Sequence, residues 1–377
     1  MSGPLDGLKV LELAGIGAAP YACMLLADLG ADVLRLERGD PDAAPDATWD
    51  LLTRSRPSVA IDLKNGAGRD LVLELCEQAD VLIEGFRPGV TERFGLGPQD
   101  VHARNPRLVY GRMTGYGQAG PLAAMAGHDI NYIAVSGALW PMGRAGERPV
   151  APLNLVGDYG GGSLFLVFGV LAAVLSARTT GEGQVVDAAM VDGSASLMTF
   201  THALLNVGLW REERGVNLLD SGAHFYEVYE TSDRRYVAVG AIEEKFYAEL
   251  VRVLGLASED LAAQMDREQW PAMKERFASI FATKSRDEWT ALFEGVDACV
   301  TPVLSPREAV EHPYNTARNV FSTSGAWQPS PAPRFSRTPV SLGTGPTTPG
   351  SGTAEGLARW GVDGARLVAL RSAGAFG

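Results

Sequence analysis

The chain has 377 residues, which is enough for two domains with sizeable hydrophobic cores. Hydrophobic residues make up 46% and charged residues 21% of the chain, a composition typical of globular proteins and unlike that of disordered ones. The 33 basic and 45 acidic side chains give a net charge of −12, so the overall field repels nucleic-acid backbones and anionic membranes. We therefore expect no nucleic-acid partner, and an anionic ligand would need a local group of cations.

Cysteine and histidine usage argues against a metal centre. Cys23, Cys76 and Cys299 are far apart and form no C-x-x-C motif, which predicts buried thiols in a reducing compartment. The five histidines show no spacing typical of metal ligands. The N-terminus lacks the features of a signal peptide, and the longest apolar run, 164–175, is shorter than the roughly 20 residues that span a bilayer. The sequence thus predicts a cytoplasmic protein with no membrane span and no metal.

The first part of the chain alternates predicted strands and helices. Segments that alternate at period two or are short and apolar are bounded by turn residues, and helical periodicity lies between them. The predicted strands are residues 8–13, 33–37, 58–63, 80–84 and about 108–112. This order predicts an α/β domain with an open, mainly parallel sheet, in which ligands bind beyond the carboxyl ends of the strands.

The turn after the first strand resembles part of a dinucleotide-binding motif. It supplies Gly15 and Gly17, and Glu37 lies at a suitable distance to bind a ribose hydroxyl. The third glycine position is Pro20, which has no N–H and cannot pack as closely as glycine. The motif alone is therefore a weak indication of a nicotinamide enzyme.

Five cations follow predicted strands and should lie at the ligand edge of the sheet. Each alone is most simply a solvated surface charge, but five in register in an acidic protein favour a site for a polyanionic ligand such as a nucleotide or coenzyme A. They are Arg38, Lys64, Arg87, Arg93 and Arg112.

Residues 127–162 bring together an imidazole and a carboxylate, each beside small residues and each at the predicted start of an apolar helix. His128 and Asp158 are simplest to interpret as a surface or capping residue and an N-cap. The same positions would suit an acid/base pair, because a helix N-terminus stabilises an anion formed beside it.

The second half of the chain has a different order of predicted elements. A helix from Asp158 to about Arg178, a strand at 184–187 and a helix at 188–207 complete a large domain at 1–205, and residues 206–224 are predicted to be a linker. An antiparallel hairpin at 225–241 opens a smaller α+β domain, 225–318, whose later helices begin with the capping boxes Ser285–Glu288 and Ser305–Glu308. Residues 319–377 are predicted to be a Pro-rich return linker and a C-terminal helix that packs on the large domain.

Eight segments in the same order resemble α-methylacyl-CoA racemases of the family III CoA-transferase superfamily. The resemblance runs from about residue 4 to 338 and fades after Pro339. The segments are GLKVLELAGIG, LADLGADVLRLER, IEGFRPGVTERFGLGP, GRMTGYGQ, AGHDINYIA, PLNLVGDYGGG, GQVVDAAMVDG and YVAVGAIEEKFY.

The resemblance implies an interlocked homodimer, each subunit having a Rossmann-like large domain and a small domain, with the active site between one subunit's large domain and the other's small domain. It implies that His128 and Asp158 are the acid/base pair and that Glu243 orients His128, although the neighbouring Glu244 is a second candidate. The residues that it places against coenzyme A are Ile16, Arg38, Lys64, Gly85, Phe86, Arg87, Pro88, Arg93 and Tyr132, and the strand-end position adds Arg112. The family differs from this chain near the pantetheine path, at residues 18–21.

The implied reaction interconverts (R)- and (S)-2-methylacyl-CoA thioesters through an enolate, as in the breakdown of branched-chain fatty acids or sterol side chains. One base removes the α-proton and a protonated group on the other face returns one, which requires a carboxyl with a raised pKa but no metal or redox cofactor. Backbone N–H groups at the start of the helix at Asp129 are candidate donors to the enolate oxygen. The alternatives are a CoA-transferase in which Asp158 is the nucleophile, a non-catalytic CoA-binding scaffold and a nicotinamide enzyme.

Overall fold

The computed structural model describes residues 3–39, 49–256 and 264–376. The chain divides into two compact units. The first contains Met1–Gly137, Pro152–Met198 and Phe321–Gly377, and the second contains Ala138–Ala151 and Thr199–Val320. The division falls at Met198 rather than near residue 205, and a short segment of the N-terminal half belongs to the second unit.

The first unit is built on a six-stranded, entirely parallel sheet, which confirms the predicted fold class. Its strand order is β3-β2-β1-β4-β5-β6. The strands are β1 (Lys9–Leu13), β2 (Asp32–Glu37), β3 (Ser58–Ala60), β4 (Val81–Glu84), β5 (Val109–Thr114) and β6 (Val185–Ala189). The order reverses direction between β1 and β4, and ligands of such sheets bind at this reversal.

Seven α-helices of the described residues accompany these strands in the first unit up to residue 198. They are α1 (Ala18–Asp28), α2 (Gly66–Cys76), α3 (Val90–Arg93), α4 (Pro98–Arg104), α5 (Asp129–Val135), α6 (Leu164–Thr180) and α7 (Met190–Leu197). Both faces of the sheet are covered, because the apolar side chains of α1 and α6 form a core on one face and those of α2 and α4 contribute to a core on the other. Burial on both faces explains why β4 and β5 have no exposed residue.

A π-helical turn, Leu155–Ser163, precedes α6 and continues directly into it. The sequence predicted one α-helix starting at Asp158, so the wider turn is a difference. The combined helix, Leu155–Thr180, is 26 residues long and therefore longer than the apolar run counted in the sequence. It is apolar and long enough to cross a membrane, but core helices of soluble proteins pass the same test, and α6 packs through Leu166 and Val170 on the sheet.

The second unit is α+β. Its elements are α8 (Thr199–Asn206), β7 (Tyr226–Glu230), β8 (Tyr236–Gly240), α9 (Glu244–Val253), α10 (Trp270–Phe281), α11 (Arg286–Phe293), β9 (Val300–Pro302), α12 (Pro306–Glu311) and α13 (Pro313–Ala317). The hairpin of β7 and β8 is antiparallel as predicted, and β9 adds a third antiparallel strand that the sequence pattern did not indicate. Both predicted capping boxes form at the starts of α11 and α12.

The last segment returns to the first unit. It contains a two-stranded ribbon of β10 (Phe321–Ser322) and β11 (Gln328–Pro329), followed by α14 (Thr353–Arg359) and α15 (Gly364–Ser372). Leu357, Trp360 and Leu370 are buried in the same core as strands β1 and β2. The C-terminal helix thus packs where the sequence suggested.

The three cysteines are free thiols. Cys23 and Cys76 are buried, as predicted. Cys299 is exposed, which contradicts the prediction that all three are buried. It lies just before the edge strand β9, in a left-handed backbone conformation with φ 52°. An edge position leaves such a side chain without covering neighbours.

Candidate active site

A cavity of about 470 Å³ opens at the carboxyl ends of β1 and β4, where the strand order reverses. The turn at 16–19, which follows β1, and the loop at 85–88, which follows β4, form two of its walls. Residues 113–116, at the end of β5 and directly after it, form a third. His128 and Asp158 both line this cavity, so the two candidate acid/base groups share one space.

His128 is the N-cap of α5, and its side chain is exposed in the single chain. Its backbone N–H donates to Asn131 Oδ1 at 3.0 Å, which fixes the start of the helix. Tyr132 supports the turn before it, because the Tyr132 hydroxyl donates to the carbonyl of Gly127. The ring of Tyr132 lies so close to Gly115 that a Cβ there would be 2.0 Å from Cε1. A glycine at 115 is therefore needed for the buried tyrosine that holds the His128 turn.

Asp158 lies in the π-helical turn rather than at an N-cap. Its backbone N–H donates to Asp129 Oδ2 at 2.7 Å, and its Oδ2 accepts from Asn154 Nδ2 at 3.3 Å. Burial raises the pKa of the Asp158 carboxyl, and the negative charge of Asp129 raises it further, while Asn154 and the charge of His128 act in the opposite direction. The carboxyl is thus biased toward the protonated form that a proton donor requires.

The glycines after Asp158 let the π-helical turn pack closely on α7. A Cβ on Gly161 would lie 2.6 Å from the backbone nitrogen of Ser194, and one on Gly193 would lie 1.8 Å from the carbonyl oxygen of Gly161. No larger residue fits at either position without moving the backbone. The DYGGG segment therefore places Asp158 by close packing of backbones, and π-helical turns of this kind are frequent at functional sites.

Four predicted cations lie at the ligand edge of the sheet. Arg38, Lys64 and Arg87 follow β2, β3 and β4, and Arg93 ends α3. All four are exposed, and no carboxylate of the described residues forms an ion pair with them. Only Arg87 lines the cavity, so the other three would contact a ligand that extends beyond it.

Comparison with known proteins decides the family. The family model described as CoA-transferase family III matches residues 5–353. The chain belongs to CoA-transferase family III. Its sequence is 45% identical to the alpha-methylacyl-CoA racemase of Mus musculus over 98% of this chain and 96% of that protein. It is also 45% identical to the Homo sapiens alpha-methylacyl-CoA racemase over 89% of this chain and 87% of that protein.

A solved structure of a CAIB/BAIF family protein from Brucella suis has the same fold. It superposes with a TM-score of 0.82 at 26% identity and covers 96% of this chain and 100% of its own. The similarity to the mouse protein extends past Pro339, where the resemblance in the sequence motifs fades. The family assignment thus applies to both units.

Arg112 differs from the other four cations that were predicted to lie at the ligand edge. It is buried, and its guanidinium donates to Glu84 at 2.9 Å and to Glu92 at 2.9 Å. Glu84 and Arg112 are directly opposite each other on β4 and β5, so the parallel register brings the two charges together. Arg112 therefore joins two strands and α3 beneath the cation-bearing loop, and its charge is already neutralised.

Glu243 and Glu37, two carboxylates that the sequence analysis singled out, do not line the cavity. Glu243 is the N-cap of α9 in the second unit, and both it and Glu244 are exposed. Its pairing with His128, which belongs to the first unit, stays a prediction. Glu37 accepts from Arg35 at 3.0 Å and from the hydroxyl of Ser58, so this carboxylate is engaged within the sheet and does not favour a nicotinamide site.

Sequence reasoning missed Asp129 and the three methionines of the cavity wall. Asp129 contacts Asp158 across 29 positions in the chain, and no local pattern reveals such a contact. Met113, Met125 and Met190 line the cavity from three separate segments. Flexible, polarisable side chains of this kind adapt to ligands of irregular shape. Among the described residues no three His, Cys, Asp or Glu side chains cluster as metal ligands.

Proposed function

We propose that this chain is a racemase that interconverts (R)- and (S)-2-methylacyl-CoA thioesters. The observation that carries the proposal is that His128 and Asp158 line one cavity at the switch point of the sheet. The similarity to two alpha-methylacyl-CoA racemases over nearly the whole chain supports it independently.

The reaction removes the α-proton from one face of the α-carbon and delivers a proton to the opposite face. In one direction neutral His128 accepts the α-proton, and the electron pair of the C–H bond moves toward the thioester carbonyl to give an enolate. Protonated Asp158 then donates its proton to the opposite face of the same carbon. In the reverse direction the two groups exchange roles, so the pair returns to its starting protonation state after a forward and a reverse turnover.

Two features of the cavity suit this chemistry. Burial raises the pKa of Asp158 above the usual value of an aspartate, which is the direction that a proton donor requires. The first N–H groups of α5, at Asp129 and Ile130, lie beside His128 and have no partner within the helix, so they are candidates to stabilise the enolate oxygen. No metal or redox cofactor is needed for the transfer, and we keep this as a prediction.

The coenzyme A moiety is proposed to follow the ligand edge. Ile16, which is fully exposed, and the loop at 85–88 border the cavity where the pantetheine would enter. Arg38, Lys64 and Arg93 are exposed cations outside the cavity, at the positions that the family resemblance assigns to coenzyme A. Unpaired cations in a chain with a net charge of −12 are a suitable seat for phosphates.

An interlocked homodimer is part of the proposal. The family resemblance implies that Glu243 of one subunit orients His128 of the other, which would fix the tautomer of the imidazole and stabilise its protonated form. Helix α8 has no buried residue, and α6 exposes Phe168 and Leu175. Apolar surface of this extent supports a protein partner. A cytoplasmic location remains a prediction that cell fractionation tests.

The decisive experiment is isotope exchange. Incubation with (S)-2-methylacyl-CoA in deuterated water is expected to give loss of optical purity together with deuterium at the α-carbon. His128→Ala and Asp158→Ala are each expected to lower the rate by about 10²-fold or more, the usual scale of general acid–base catalysis. Absence of exchange, or exchange that persists undiminished in the double variant, contradicts the proposal.

The same samples distinguish the alternatives. A CoA-transferase would give an acyl-Asp158 anhydride that hydroxylamine traps, and it would transfer labelled coenzyme A to a free carboxylic acid. A binding scaffold would retain the thioester without exchange and would tolerate Asp158→Ala. An NADH titration without a change in absorbance or fluorescence excludes the alternative of a nicotinamide enzyme.

A further inference from the structure

Asp129 follows His128 directly and is the first residue of α5. The residue is only 6% exposed, although the first position of a helix is normally open to solvent. Its Oδ2 accepts the backbone N–H of Asp158 at 2.7 Å. Its Oδ1 is buried and has no hydrogen-bond partner among the described residues. A carboxylate in this setting is costly to maintain, since an unsatisfied buried polar group costs about 1–3 kcal/mol and a charged one more.

Gly157, the residue before Asp158, has no side chain and so leaves room for this carboxylate. A Cβ on Gly157 would lie 2.6 Å from Asp129 Oδ2 and 2.8 Å from its Cγ. The backbone at Gly157 therefore lies so close to the Asp129 carboxylate that a residue with a side chain would not fit there. Helix capping alone does not require such an approach, because an exposed Asp at the first turn also interacts favourably with the helix dipole.

We propose that Asp129 is a positioning residue of the racemase: its carboxylate ties the Asp158 segment to the helix that carries His128 and places a negative charge beside the Asp158 carboxyl. The proposal rests on the proposed function and adds a residue that does not itself exchange a proton with the substrate. Through one hydrogen bond it fixes the spacing of the two catalytic groups, and a misplacement of about 1 Å in such a pair can cost about 10²-fold in rate.

The charge of Asp129 acts on Asp158 in a defined direction. A negative charge close to a carboxyl disfavours its ionisation, so Asp129 adds to the effect of burial on the pKa of Asp158. On α5 the groups that face this carboxyl are His128 and Asp129, and the Tyr132 hydroxyl is close enough to feel its charge. The other elements packed on the turn add no charge that acts on Asp158 among the described residues; their titratable side chains include Tyr21 of α1, which stacks on Tyr159, and the exposed Asp192 of α7.

The test separates the hydrogen bond from the charge. Asp129→Asn keeps an oxygen that accepts the Asp158 N–H but removes the charge. It is expected to move the acidic limb of the kcat/KM profile, which reports the first ionisation of the His128–Asp158 pair, to lower pH by about one unit. Asp129→Ala also removes the hydrogen bond and is expected to lower kcat by about 10²-fold, with little change in KM for the thioester. Gly157→Ala displaces the carboxylate but retains its charge, so it is expected to lower kcat without the same shift of the limb.

Asp192→Asn is the matched control, because it removes an exposed carboxylate from the neighbouring α7 and is expected to change neither kcat nor the pH profile. Circular dichroism and thermal unfolding establish that the variants are folded. An unshifted acidic limb in Asp129→Asn overturns the proposal. An equal loss of kcat in Asp129→Asn and Asp129→Ala, together with weakened coenzyme A binding, also overturns the proposal, since a purely structural role would give that result.

A readout that needs no turnover keeps the two proposals apart. In full-length protein with ¹³C-labelled aspartate carboxyls, the Asp158 signal is assigned by its loss in Asp158→Asn and titrated in the wild type and in Asp129→Asn. A lower ionisation midpoint in Asp129→Asn supports the role of Asp129 even when the wild type shows no deuterium exchange, a result that would refute only the racemase activity. Identical midpoints refute the role of Asp129 even when the wild type is an active racemase.

Discussion

At the scale of single residues, burial is the main cause of an altered proton affinity at His224. The imidazole is fully buried in the second unit, packed edge-on against the rings of Phe225 and Phe277. Its Nε2 is 2.8 Å from the hydroxyl of Tyr247, and its Nδ1 has no partner among the described residues. Burial, with a smaller effect of the Lys274 charge, lowers the pKa of His224 to about 4.

This low pKa predicts acid sensitivity. The unfolded chain binds a proton at His224 below pH about 6.5, whereas the folded chain does so only near pH 4, so stability is complete above pH 6.5 and is lost as the pH falls toward 4. The full loss corresponds to about 3 kcal/mol. Urea unfolding at pH 7 and pH 5 is expected to show a smaller pH dependence for His224→Gln than for the wild type.

Tyr247→Phe is the control for that measurement, because it removes the hydrogen-bond partner but leaves the buried imidazole. It is expected to be less stable than the wild type at both pH values and to retain the steep dependence on pH. An equal difference between pH 7 and pH 5 in the wild type and in His224→Gln would show that another group causes the acid sensitivity.

Residue types and their order along the chain were enough to select His128, Asp158 and the strand-end cations. They were not enough to place every side chain. The sequence pattern predicted similar strand-end positions for Arg112 and Arg87, but Arg112 lies within β5 and pairs with Glu84 because parallel register sets them opposite each other. The sequence pattern around Asp129 indicates only a residue at the start of a helix. Its contact with Asp158, which is distant in the sequence, is visible only in the structure. Such contacts depend on tertiary packing, which local patterns do not encode.

At the scale of elements, the parallel strands explain why the cations lie together. Strands β3, β2 and β4 all end at the same edge, so Lys64, Arg38 and Arg87 are brought to one side of the sheet although they are far apart in the sequence. Period-two alternation and helical periodicity were sufficient to predict this arrangement. The π-helical turn at Leu155–Ser163 was not predicted, because its geometry follows from the packing of its glycines on α7, which local sequence patterns do not show.

The edge arrangement predicts a defined kinetic effect. Arg87→Ala and Arg93→Ala are each expected to raise KM for the thioester about tenfold, equivalent to about 1.4 kcal/mol, and to leave kcat nearly unchanged. The reason is that phosphates remote from the reacting carbon bind equally in the ground state and the transition state. The effect is measured by steady-state kinetics at low ionic strength and is expected to shrink as salt is added.

Arg104→Ala is the matched control, since Arg104 is an exposed arginine of the same unit that pairs with Glu77 at the end of α2. Its KM is expected to equal that of the wild type. A fall in kcat without a rise in KM in the Arg87 and Arg93 variants would place these cations at the reacting centre instead of along the phosphates.

At the scale of the whole molecule, the single chain exposes a row of large apolar side chains on one helix. Helix α6 exposes Leu164, Phe168 and Leu175 at spacings of four and seven residues, so these side chains form one apolar stripe on the helix. Phe168 is 74% exposed. A second copy of the chain would cover this stripe and, by the family resemblance, would also bring Glu243 to the other subunit's His128. Assembly and catalysis would then depend on each other.

Subunit complementation tests this dependence. His128→Ala and Glu243→Ala chains are expected to be nearly inactive alone but active after co-expression, because a mixed dimer contains one site with both substitutions and one with neither. Random pairing gives mixed dimers for half of the population, so the expected activity is about one quarter of the wild type. Light scattering is expected to give about twice the 40.0 kDa of one chain. Adding Phe168→Glu to both chains should abolish the recovery, whereas Val368→Glu, an equally drastic change at an exposed position of α15, should not. Co-expressed chains no more active than either parent would mean that each site is built from a single subunit.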